Sequence, residues 1–132
     1  MTALNLTAVM DAIAALLTAE TSDQAYAYPP DAAVSPCWIV GYPPDIDYDA
    51  VFGRGSDRAV FPVFRVVPRN DPKSARDALS AVISQANDIK AVLDGTLSST
   101  VQSARVTSCK PSFIEIGGVP ELAAEFSLEV YS

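Results

Sequence analysis

The first pattern along the chain is helical. Between residues 4 and 18, Leu6, Val9, Met10, Ile13, Leu16 and Leu17 recur at three- and four-residue spacing. That spacing gathers them on one side of an α-helix. Ala8, Ala12, Ala14 and Ala15 add helix propensity and keep the profile slim. Thr21-Ser22-Asp23 breaks the run, and the period changes to two. Tyr26 and Tyr28 would share one face of a short strand that Pro29-Pro30 ends. Cys37–Gly41 is a compact apolar run between turn signals and predicts a strand, followed by a turn at Pro43-Pro44. Residues 45–58 are polar, charged and glycine-bearing, and predict a long loop or an irregular hairpin tip. Ala59–Val67 is apolar on both faces except at Arg65, the pattern of a central strand. Pro62 lacks a ladder donor, so a bulge or an edge contact is expected there.

Asn70-Asp71-Pro72 opens a second helix, with Asp71 as cap and Pro72 in the first helical position. Ala75, Leu79, Val82, Ile83 and Ala86 form its buried stripe, with Lys73, Arg76, Asp77 and Ser80 outside and Asn87 at the end. Ile89–Leu93 adds one further turn, stopped by Asp94-Gly95. The last third reads as a strand meander. Val101–Thr107 alternates, Phe113–Ile116 follows, Gly117-Gly118 turns the chain, and Leu122–Tyr131 alternates throughout. In that last strand Ala124, Phe126, Leu128 and Val130 oppose Glu125, Ser127, Glu129 and Tyr131. One buried and one wet face is the mark of an antiparallel sheet. The order α, β, β, β, α, β, β, β predicts a single α+β domain over residues 1–132, with two helices packed on one face of a mainly antiparallel sheet.

Composition sharpens the functional side. Hydrophobic residues make up 49% of the 132 positions and the mean hydropathy is +0.20. A surplus of this kind implies a large core, apolar surface held for partners, or both. The net charge of −7 opposes nonspecific duplex binding, which needs Lys and Arg to displace phosphate counterions. Two cysteines, Cys37 and Cys109, form neither a disulfide framework nor a zinc spacing, and are expected to be buried and reduced. Neither a signal peptide nor a membrane span is expected. The chain has no histidine, which removes the commonest general base and the commonest metal ligand. No catalytic residue and no cofactor is therefore expected.

One carboxylate cluster stands out: Asp45, Asp47 and Asp49. Its spacing matches the first three ligands of a calcium loop. The match then fails, with Ala50 where glycine is required and Ser56 where a bidentate acid belongs. In a strand the three carboxylates would repel unless Arg54, Arg58 or a neighbouring subunit neutralised them. Phe52-Gly53-Arg54-Gly55 is too short for a dinucleotide fingerprint, and its glycines read as freedom at a loop tip. Arginine beside an aromatic is an interface composition. Asp45, Asp47, Asp49, Phe52, Arg54 and Arg58 are therefore the candidate contact residues for oligomer or partner. A small metal- or ligand-binding domain built on Asp45–Asp49 is the alternative from another class.

Several stretches together carry a resemblance. They are YPPD at 28–31, PCWIVGYP at 36–43, FGRGSDR at 52–58 and FPVFRVVPR at 61–69. KSARDALSAVIS at 73–84, IKAVLDGTL at 89–97 and the ending IGGVPELAAEFSLEVY at 116–131 complete the set. The whole pattern resembles the tail terminators among the head-to-tail connector proteins of long-tailed actinobacteriophages. That resemblance implies a tail-terminator-like fold and a homohexameric ring. The ring would cap the completed tail tube and join it to the capsid neck, touching the tail tube protein and neck proteins. DNA would pass through its lumen without specific binding. The protein would be made in the bacterial cytoplasm and reside in the virion at the tail–neck junction. A neck stopper or another tail-completion subunit is the nearest alternative.

Overall fold

The computed structural model describes residues 6–21, 24–28, 37–51, 56–67, 72–84, 103–116 and 118–131. Helix α1 spans Leu6–Thr21. Strands β1 (Ala25–Tyr26), β2 (Cys37–Val40), β3 (Ile46–Val51) and β4 (Ser56–Val66) follow. Helix α2 covers Pro72–Ser84. Strands β5 (Ser103–Ile116) and β6 (Val119–Tyr131) close the chain. The sheet runs β1-β2-β4-β6-β5, with β3 attached to β4 beside this path. All pairings are antiparallel except β1 with β2.

Both helices lie on one face of the sheet. Val9, Met10, Ile13, Ala14 and Leu17 of α1 are buried in one cluster with Trp38, Val40, Phe61, Val63, Phe126, Leu128 and Val130. From α2, Leu79 enters the same cluster, with Ala78, Val82 and Ile83 packed against it. The α+β architecture with two helices on one side of a mainly antiparallel sheet is therefore present. The alternation expected of the last strand holds: Ala124, Phe126, Leu128 and Val130 are buried, and the residues between them are half-buried. The wet face is thus only partly wet. A second buried cluster, Cys37, Ile39, Val66, Ile116 and Ala123, forms on the face away from the helices.

The strand inventory differs from the expected order in two places. Residues 45–58 are not mainly loop: β3 pairs with β4 through Ile46↔Ala59, Asp47↔Arg58 and Val51↔Ser56, with a register shift between Asp47 and Val51. Polar alternation there reads as loop in one dimension, but a strand at the sheet's rim needs no apolar run. The expected strands Val101–Thr107 and Phe113–Ile116 are one strand, β5. Lys110-Pro111 looks like a break, yet β5 is the outermost strand, where proline costs no ladder bond if its nitrogen faces outward. A register shift between Val106 and Ser108 switches the buried parity, so Ala104 and Val106 point to the helices before it and Cys109 after it. Asp71, Ala86, Asn87 and the turn Ile89–Leu93 lie outside the described residues.

Pro62 sits inside a central strand, and the geometry explains why that is tolerated. The outer edge of β4 is shared by two partners: β2 pairs with Val63–Val66 and β3 with Ser56–Ala59. Pro62 falls in the gap between them. Its carbonyl accepts a bond from the Gly41 N–H at 2.7 Å, so its nitrogen faces the same gap and no ladder donor is missed. Gly41 must come close to make this bond. A Cβ on Gly41 would meet Pro62 Cγ at 2.8 Å and Phe64 Cε2 at 3.2 Å. Gly118 has φ +81° in the two-residue connection between Ile116 and Val119, a conformation that favours glycine.

Candidate interface

The sheet face away from the helices carries crossed charges. Arg58 on β4 reaches diagonally to Glu129 on β6. Its Nε and Nη2 donate to Glu129 Oε2 at 3.1 and 2.8 Å, with the two side chains 33% and 17% exposed. Lys110 on β5 lies 3.6 Å from Glu125 on β6. Arg105 is the register partner of Glu129 from the β5 side. Cross-strand pairing of opposite charges fixes register and keeps this face from being plainly apolar.

The candidate residues of the 45–58 segment fall out as follows. Asp45 is exposed just before β3. Asp47 and Asp49 belong to β3, and the register sets Asp47 opposite Arg58. Arg58 is also bound across to Glu129, so it joins three strands, β3, β4 and β6, by register and ion pair. Phe52 and Arg54 lie outside the described residues. Among the described residues, no three His, Cys, Asp or Glu side chains are grouped to hold a metal ion.

A second feature lies on the helix side, at the β1 edge. A groove of about 250 Å³ is lined by Leu6, Thr7, Met10 and Asp11 of α1 and by Ala27, Tyr28 and Tyr42. Its floor is apolar, with Met10 buried and Leu6 and Ala27 half-buried. Its rim is polar and aromatic: Thr7 and Asp11 are exposed, and Tyr28 and Tyr42 are each 59% exposed. Tyr28 follows β1 and Tyr42 follows β2, and these two neighbouring strands pair in parallel. Parallel strands leave the sheet at the same end, so their trailing residues meet there. Asp11 was legible only as the charge in an apolar helix. The signal that could have marked the groove is Tyr28-Pro and Tyr42-Pro, two aromatics each stopped by proline after a short strand.

The remaining reactive groups are spoken for by the core. Trp38 is 1% exposed, with Phe126 at 6.0 Å between ring centroids and the Arg65 guanidinium 5.0 Å from its ring. It is a core anchor. Both cysteines are free thiols. Cys37 is fully buried, but Cys109 is only half-buried, which corrects the expectation of two buried thiols. Burial pushes the Cys109 thiol up from its ordinary value. The pair cannot bridge: Cys37 belongs to the cluster on one sheet face and Cys109 packs against the other. Three strand spacings separate them, about 14 Å against a disulfide limit near 7 Å. No helix among the described residues is long and apolar enough to cross a membrane. No protein-family model matches the chain, and comparison with curated proteins finds no match.

Proposed function

We propose that this protein is a structural subunit of a long-tailed bacteriophage. In this reading it is a tail terminator that closes the completed tail tube as a homo-oligomeric ring and joins it to the capsid neck. The observation that carries the reading is the run of motifs from YPPD at 28–31 to LEVY at 128–131, set on an α+β domain. Exposed Tyr28, Tyr42 and Phe113 support it, because large exposed aromatics at a sheet's margins suit protein contacts. The absence of histidine from the sequence supports assembly over catalysis.

A terminator works by geometry. One face of the ring reproduces the stacking contact that each tube ring offers the next. The other face offers none, so polymerisation stops and the neck docks instead. Such a ring is a head-to-tail contact closed on itself. DNA would cross its lumen, and a chain of net charge −7 would let it pass without gripping phosphate. The test is native mass spectrometry at micromolar concentration, with and without purified tails. A ring of several copies, alone or on tails, is expected. A strict monomer that ignores tails would contradict the reading, and binding to isolated capsid necks in place of tails would mark a neck stopper.

A further inference from the structure

We propose that the groove between α1 and the tyrosines Tyr28 and Tyr42 receives the Arg105 side chain of a second copy of this chain, an inference that rests on the ring-forming reading above. The chemistry of the groove fits a guanidinium on a long stem. Its apolar floor, with buried Met10 and half-buried Leu6 and Ala27, suits methylenes. Two exposed tyrosine rings offer faces for a planar cation. The Asp11 carboxylate supplies the opposite charge at the rim. At about 250 Å³ the groove is smaller than the usual small-molecule site of roughly 300–1,000 Å³, and suits a single inserted side chain.

The chain carries the matching cation at its other margin. Most described cations have a partner within the molecule: Arg58 binds Glu129, Arg76 binds Asp77, Lys110 lies by Glu125, and Arg65 lies over Trp38. Arg105 and Lys73 are exposed, with no ion pair among the described residues. Arg105 stands on β5, which ends the sheet on one side, whereas the groove adjoins β1, which ends the sheet on the other. Lys73 is on helix α2 and not on a margin strand. Donor and acceptor at opposite margins of one molecule make a head-to-tail contact, which repeats from copy to copy until the ring closes.

The experiment is a charge exchange read by native mass spectrometry and sedimentation, with melting curves to confirm folding. Asp11→Lys and Arg105→Glu should each weaken self-association about tenfold or more, the range for a close charge pair across an interface. Asp11→Lys combined with Arg105→Glu should restore much of the loss, which no effect on folding would do. Tyr42→Ala should weaken assembly in the same direction. If the wild type assembles and both single variants assemble equally well, or the double variant shows no rescue, this contact is wrong and the ring reading stands. If Asp11→Lys abolishes tail binding but leaves the ring intact, the groove serves another protein and the self-contact is overturned. A wild type that stays monomeric with and without tails overturns both.

Discussion

Gly41 and Pro62 show how much a single position carries. The 2.7 Å bond between them needs a glycine, because any Cβ would strike the proline ring at 2.8 Å. Gly41→Ala should cost about 1–3 kcal/mol, the range for forcing volume into a packed site. A urea titration should show a lower midpoint with unchanged slope, and an unaltered midpoint would refute the close approach. The Arg58–Glu129 pair is weaker. It is partly exposed, so a double-mutant cycle of Arg58→Ala and Glu129→Gln should give a coupling of only about 0.5–1.5 kcal/mol. Cys109 should alkylate more slowly than a free thiol at neutral pH, because burial raises its pKa and lowers the thiolate fraction. The rate should climb with pH through a midpoint above that of an unfolded control. Cys37, fully buried, should not react until the protein unfolds.

At the scale of elements, β4 organises the sheet. It pairs with β6 along Arg58–Val66, and divides its other edge between β2 and β3. Pro62 marks the division, so its nitrogen is not needed, while Phe61 and Val63 turn theirs toward β6. Pro62→Ala should change stability by less than about 1 kcal/mol, whereas Val63→Pro should cost more than about 2 kcal/mol. Equal losses would reject this account of the edge. Both helices, the hairpin turn at Gly117-Gly118 and the alternation of β6 were legible in the sequence because each is local: periodicity and turn chemistry decide them. What the sequence hid is non-local. β3 is polar because it sits at a rim, and Lys110-Pro111 is tolerated because β5 has no outer neighbour among the described residues. The Tyr28/Tyr42 groove arises only when β1 and β2 pair in parallel. Arg58 was legible as a candidate contact, but its hold on Glu129, 71 residues away, was not.

At the scale of the whole molecule, Trp38 is the one tryptophan and lies between α1, β4 and β6 in the buried cluster. Its fluorescence therefore reports on helix and sheet together. Denaturation followed by Trp38 emission and by far-ultraviolet circular dichroism should give coincident curves, and separated transitions would contradict a shared core. Duplex DNA should not bind at about 50 mM salt, where any electrostatic attraction is exaggerated. Micromolar binding that falls steeply with salt would favour a DNA-gripping neck component over a passive conduit. The central claim is that this fold closes a phage tail, and the most direct test is electron microscopy of purified tails lacking their terminal ring, mixed with the purified protein. The account predicts a ring of several copies seated on one end of each tail, the end that meets the capsid. Bare tail ends beside monomeric protein would contradict it.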